Sequence, residues 1–265
     1  MDIRNKIKNK LYKMSLGFTP LRMSLTINIT NRCDRHCDFC PYHSSQIANN
    51  YHTKWFKAQP DYLSCMDFKE FIKSLGIFRK MIRHISITGK GEPTLHPMFI
   101  SFCDICEYNK IPFSITSNGR DIDLVKRLSN YKYLTNIRIS IYDLKTWRKW
   151  KLIKLPKLCF YNMTPKDIDG IEYGFISAQY GIQHKRAIKD FNKKTFCKTS
   201  FHFITMNTDG GIVPCYSYHE IGTLRDGFLK LWNGREIRAF RHQAVNGRNI
   251  KLADCDSCGV NYGKD

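Results

Sequence analysis

Three cysteines, Cys33, Cys37 and Cys40, fall within eight residues. Soft thiolates at C-x-x-x-C-x-x-C spacing suit zinc or an iron–sulfur cluster. A cubane cluster has four irons, so three cysteines leave one iron open to a small chelating ligand. The zinc reading needs a fourth ligand, for which His36 and His43 are the candidates. A second loop, Thr88-Gly89-Lys90-Gly91-Glu92-Pro93, holds two glycines that permit close backbone approach and a carboxylate that would oppose a positive charge. A third turn, Ser117-Asn118-Gly119, follows. Near the C-terminus, Cys197, Cys215, Cys255 and Cys258 form two separated pairs. Four cysteines could complete a cluster with no open iron or a zinc knuckle, although the Cys197–Cys215 loop fits a zinc ribbon poorly. Cys103 and Cys106 lie three apart on a predicted helix and share a face, which makes them packing thiols rather than ligands. Cys65 and Cys159 have no partner pattern.

These loops need elements to hold them. Strand patterns occur at residues 24–30, 84–88, 113–117, 135–142 and 157–161. Helical patterns lie between them at 67–80, 99–109, 124–130 and 144–153. Repeated β–α units imply a parallel sheet. Buried parallel strands usually read as unbroken apolar runs, but these alternate. Leu25, Ile27 and Ile29 oppose Thr26, Asn28 and Thr30. Ile137, Ile139 and Ile141 oppose Asn136, Arg138 and Ser140. One face can pack on helices, and the other is polar in every strand. A curved sheet whose concave side lines a polar cavity is expected, with His84, Arg138 and Tyr142 facing it. The alternative is a doubly wound sheet with poorly filled strand ends. No catalytic acid or base can be assigned from the sequence.

The chain of 265 residues carries 43 Lys plus Arg against 23 Asp plus Glu, a net charge of +20. Such a field favours anionic partners, or reflects a lysine-rich solvated surface. Eleven cysteines, an odd number in a long chain, argue against a secreted disulfide scaffold. A reducing cytoplasm is the expected setting. No apolar run is long enough for a membrane span, and no signal peptide is apparent. Residues 1–20 read as a basic lead-in, 21–185 as the β–α domain and 186–265 as a small module. That module contains a hairpin turning at Asn207-Thr208-Asp209-Gly210 and a helix at 233–244.

The cysteine triplet beyond the first strand and the glycine–glutamate loop beyond the second resemble the radical S-adenosylmethionine (SAM) superfamily. The resemblance implies a 4Fe-4S cluster on Cys33, Cys37 and Cys40 whose open iron takes the amino and carboxylate groups of SAM. It implies that the loop of Gly91, Glu92 and Pro93 receives the SAM ammonium. Ser117 and Asn118 would lie near the ribose, Ser140 would contact SAM, and Phe39 would pack near adenine. The four C-terminal cysteines, with Ile221-Gly222-Thr223-Leu224 and Leu231-Trp232-Asn233, resemble the twitch or SPASM module and imply a second, auxiliary 4Fe-4S cluster. The implied fold is α/β: a partial (β/α) barrel with a small α+β C-terminal iron–sulfur module. The stretch from Ser140 to Cys197 is short for the family, so a β–α unit is expected to be reduced or missing.

The implied function is a radical SAM oxidoreductase. It would cleave SAM reductively to a 5′-deoxyadenosyl radical and take hydrogen from a substrate, and the auxiliary cluster would accept an electron. Dehydrogenation of a small hydroxylated or sugar-like molecule is the first reading. A peptide maturase acting on ribosomal peptide side chains is the second. A metal-knuckle nucleic-acid-binding protein is the third, and a nucleic-acid partner is not expected. The implied partners are the small-molecule or peptide substrate and a reducing electron donor such as flavodoxin or ferredoxin.

Overall fold

The computed structural model describes residues 11, 14, 15, 18–20, 22–37, 40, 42–44, 58–155, 157–163, 172–173, 199–214 and 220–246. Six strands, β1 (Met23–Asn28), β2 (Ile82–Thr88), β3 (Phe113–Ser117), β4 (Leu134–Ile141), β5 (Leu158–Asn162) and β6 (Glu172–Tyr173), lie side by side in chain order. Every pairing among them is parallel. The helices α1 (Cys65–Ser74), α2 (Phe99–Tyr108), α3 (Ile122–Lys126) and α4 (Leu144–Trp150) connect the first five. The result is an α/β partial barrel, as the alternation of elements implies.

The apolar positions of the strands explain the packing. Leu25, Ile27, Ile85, Ile87, Phe113, Ile115, Ile137, Ile139 and Ile141 are fully buried. They join one core with Phe68, Phe71 and Ile72 of α1, Phe99 and Phe102 of α2, and Trp150 of α4. Each such side chain contributes about 1.5–3 kcal/mol on burial. Helix α1 begins earlier than its apolar pattern suggests because the Ser64 hydroxyl accepts from the Asp67 N–H at 3.1 Å. It also ends earlier, at Ser74, where a 3-10 turn over Gly76–Met81 takes over.

The opposite strand face is polar. Thr26 pairs with Ser86 on one side and Thr205 on the other, Ser86 with Ser114, and Ser114 with Asn136. One row further along, Asn28 pairs with Thr88, and Thr116 with Arg138, which pairs with Cys159. Packed β/α barrels fill such rows with branched aliphatic side chains. Here the rows are polar, as the strand alternation predicts.

The shortened region lies at the last parallel unit. Residues 163–171 are all that separate β5 from β6, and β6 has two residues. The sixth strand is present and pairs parallel with β5.

On the other edge, β7 (Phe203–Met206) pairs parallel with β1. It turns back into β8 (Gly211–Val213), which pairs antiparallel with β7 and then with β9 (Gly222–Thr223). The hairpin expected around Asn207-Gly210 is thus the continuation of the barrel sheet, giving nine strands in all among the described residues. The helix expected at 233–244 is α6 (Arg235–Asn246), which starts after Gly234, and a separate short helix α5 (Phe228–Asn233) precedes it. Arg241 of α6 is fully buried. It donates to the carbonyls of Ser200 and Trp232 and stacks 4.3 Å from the Trp232 ring.

Candidate functional site

The loops after β1, β2, β3 and β4 meet at one end of the barrel, the C-terminal ends of the strands, where β/α barrels place their sites. The loop after β1 carries Cys33, Cys37 and Cys40, all half-buried and none in a disulfide. Its approach to the loop after β2 is backbone to backbone. The Glu92 N–H donates to the Arg32 carbonyl at 2.7 Å. A Cβ on Gly91 would overlap the Arg32 and Thr30 carbonyl oxygens, so only glycine permits this contact.

Glu92 is 4% exposed. One carboxylate oxygen accepts from the Asn118 N–H at 2.6 Å, and the other from the Thr94 hydroxyl at 2.8 Å. Burial pushes its carboxyl pKa up, against hydrogen bonds from Asn118, Thr94 and Ser117 that lower it. Pro93 is buried and opens a 3-10 turn that Glu92 itself caps. Ser117 and Asn118 end β3 in buried positions. The turn closes at Gly119, whose φ of +74° favours glycine and where a Cβ would meet Ile139 and the Trp150 indole. Trp150 donates its ring N–H to the Gly119 carbonyl at 2.7 Å, which couples α4 to the turn.

Two charged residues inside the cysteine loop fasten it to its neighbours. Asp34 accepts from the Asn118 amide at 2.6 Å and from Arg120 at 2.8 Å. Arg35 pairs with Asp143 at 2.6 Å and lies 4.4 Å from the centre of the Tyr142 ring. Asp143 also caps α4 through the Thr146 N–H. The loop therefore rests on the turn after β3 and on the start of α4. The sequence reading did not pick out Asp34 and Arg35. Opposite charges directly between two clustered cysteines were the available signal.

Partial burial disfavours the thiolate forms of Cys33 and Cys40. Burial pushes the Cys33 thiol up to about 12, opposed by a backbone hydrogen bond from Arg35 and reinforced by the charges of Glu92, Asp34 and Cys40. Burial also raises Cys40. Burial raises Tyr142 too, helped by the charge of Cys37 and opposed by a Ser140 hydrogen bond. Cys33, Cys37, Cys40, Glu92, Ser140 and Tyr142 thus share one electrostatic neighbourhood. A bound cation is what converts such thiols into thiolates.

The two histidines that could complete a zinc site both turn to backbone carbonyls. His43 directs its Nε2 at the Lys90 carbonyl at 3.0 Å, and the His36 Nδ1 lies 3.1 Å from the His43 carbonyl. The Nε of Arg35 is buried without a hydrogen-bond partner beside this pocket.

Of the candidate residues, Cys33, Cys37, Cys40, Gly91, Glu92, Pro93, Ser117, Asn118 and Ser140 lie on the loops and strand ends that meet here. Phe39, Cys197, Cys215, Cys255 and Cys258 lie outside the described residues. Cys103 and Cys106 are buried in the core on α2, away from the loops.

The sequence model of the Radical SAM superfamily matches residues 27–146, and that of the SPASM iron-sulfur cluster-binding domain matches residues 197–259. A search of curated proteins returns no match. Among solved structures, BtrN in complex with AdoMet and 2-DOIA is similar with a TM-score of 0.71 at 15% identity, covering 92% of this chain and 95% of that one. SuiB of Streptococcus suis bound to precursor peptide SuiA gives 0.62 at 15% identity, covering 97% of this chain and 74% of that one. SuiB bound to S-adenosylmethionine gives 0.57 at 16% identity, with coverages of 97% and 75%. Matched along both of its halves, the chain belongs to the radical SAM superfamily and carries a SPASM iron–sulfur domain, which makes it an enzyme built around 4Fe-4S clusters and SAM.

Proposed function

We propose that the chain is a radical SAM oxidoreductase that dehydrogenates a small hydroxylated molecule inside the barrel. Cys33, Cys37 and Cys40 would hold the SAM-binding cluster, and Cys197, Cys215, Cys255 and Cys258 the auxiliary one. When bound, the cluster and SAM supply a reductive cleavage that delivers a hydrogen-abstracting 5′-deoxyadenosyl group, and the protein supplies position and exclusion of water.

Glu92 is the residue for the SAM ammonium. It already has hydrogen bonds from Asn118 and Thr94 but no cationic partner among the described residues. An arriving ammonium would stabilise its ionised form, which burial disfavours. Ser140, which shares a hydrogen bond with Tyr142, stands on the inward face one strand from the Ser117–Gly119 turn and suits a ribose hydroxyl. Phe39 would cover the adenine.

The observation that carries the small-molecule reading is the polar lining of the barrel. Ser86, Ser114, Asn136, Thr116 and Arg138 form continuous rows beneath the Ser140 level. The similar extents of this chain and BtrN, crystallised with 2-DOIA, agree with it. The second reading, a peptide substrate, draws on the likeness to SuiB with its peptide SuiA, a chain with a quarter of its length outside the match. The test is deuterium transfer. A hydroxylated substrate labelled at the carbon that loses hydrogen should deliver deuterium to 5′-deoxyadenosine. Label arriving only from a peptide would replace the first reading with the second.

A further inference from the structure

We propose that the substrate is an anion, and that its carboxylate or phosphate docks on Arg138 in the barrel interior; this deepens the reading of the barrel as the substrate cavity and rests on it. Arg138 stands on the inward face of β4, between Thr116 on β3 and Cys159 on β5. It lies two residues before Ser140, roughly 7 Å along the strand. A small ligand held by its guanidinium therefore extends to the level where SAM would react.

Among the inward positions of β1 to β5, the charges are unbalanced. The inward positions of β1 to β5 are Ser24, Thr26, Asn28, His84, Ser86, Thr88, Ser114, Thr116, Asn136, Arg138, Ser140, Cys159 and Tyr161. None is acidic. The described carboxylates at the barrel mouth already have partners. Asp34 is held by Arg120 and Asn118, Asp143 by Arg35, Asp61 by Arg32, and Asp209 by Gln59. Glu92 faces Asn118 and Thr94. Arg138 makes no ion pair among the described residues, and its Nε is buried with no hydrogen-bond partner. The residues that feel its charge are His84 and Cys159, neither of them an anion in its ordinary state. Burial, then Arg138 and Arg83, lower the His84 pKa, and Arg138 opposes the burial that raises Cys159.

The buried Arg138 Nε lacks a hydrogen-bond partner, and a bidentate carboxylate or phosphate is the chemistry that satisfies a guanidinium edge. The surroundings complete a site. The Ser114 hydroxyl and the Asn136 carbonyl oxygen, neighbours in the lower row, are also buried without partners. An orphaned amide oxygen calls for a donor, which a substrate hydroxyl provides. The ligand class is thus a small polar molecule with one anionic group and at least one hydroxyl.

The test uses anaerobically reconstituted holoenzyme with SAM bound. Iron content and SAM cleavage are read first, and their failure would remove the underlying reading rather than this site. Phenylglyoxal labelling is then followed by peptide mass spectrometry at Arg138 and at exposed Arg127, with inorganic phosphate or acetate as probe. At a probe concentration of about four times its Kd, labelling of Arg138 should slow about fivefold while Arg127 is unchanged. Protection by phosphate or acetate identifies which anion is preferred. Three results overturn the proposal: no protection by either probe, equal protection of Arg127, or an Arg138 that the reagent never reaches.

Discussion

Glu92 concentrates the chemistry of the site in one carboxyl group. Its folded pKa is raised above the unfolded value of about 4.3 by burial. The fold therefore favours its protonated form. The Glu92 contribution to the stability of the SAM-free protein should be full below the unfolded pKa and decline as pH rises from there through the folded pKa. Glu92→Gln should flatten that decline, checked by urea unfolding across pH without SAM. The same substitution should weaken SAM binding roughly 10- to 100-fold, the loss expected for a charged hydrogen-bonded contact, and equilibrium binding would measure it. A variant that loses stability at every pH and keeps its SAM affinity would show Glu92 to be a packing residue. At this scale the sequence was informative where residue type and spacing carry chemistry, as with the three cysteines and the G-x-G-E-P loop. Asp34 and Arg35 were harder to read, because their partners Asn118, Arg120 and Asp143 are distant in sequence and only the fold brings them near.

Elements decide whether those residues meet. The β1 and β2 loops touch through backbone at Gly91, so Gly91→Ala should force the Arg32–Glu92 contact open and cost about 1–3 kcal/mol, read from the denaturation midpoint. Arg241 ties α6 to α5 and to the 3-10 turn before β7. Arg241→Ala leaves two carbonyls unpaired and a cavity beside Trp232, so a loss of about 3 kcal/mol is expected by the same measurement. An unchanged midpoint would show that neighbouring groups or water replace it. The parallel strands and most of their helices were legible because Ile and Phe repeat on one face while Ser, Thr and Asn repeat on the other. Element ends were less legible. Helix α1 shifts toward its Ser64 cap, and the expected 233–244 helix starts two residues later, after Gly234. The pairing of β7 with β1 could not be read at all, since strand order is a tertiary property that residues 203–206 do not encode locally.

Over the whole molecule, the hairpin of the C-terminal half continues the sheet of the N-terminal half. Asn207 at the hairpin accepts from Asn28 at 3.0 Å and from Lys90 at 3.1 Å, so the two halves share contacts beside the glycine loop. The net charge of +20 adds a field that attracts anions. If an acidic flavodoxin or ferredoxin delivers electrons, its rate of cluster reduction should fall several-fold as salt rises to about 0.5 M. A salt-independent rate in stopped-flow measurements would remove that steering. The short β5–β6 connection was visible as missing length, but its outcome, a retained two-residue strand, was not. The central claim is that one iron of the cluster on Cys33, Cys37 and Cys40 is left for SAM. Its most direct test is anaerobic reconstitution with iron analysis and a SAM-cleavage assay on the wild type and Cys33→Ala. The account predicts about eight irons per chain, from two four-iron clusters, with 5′-deoxyadenosine released by the wild type alone. A colourless zinc protein, or a wild type that leaves SAM intact under strong reductant, would contradict it.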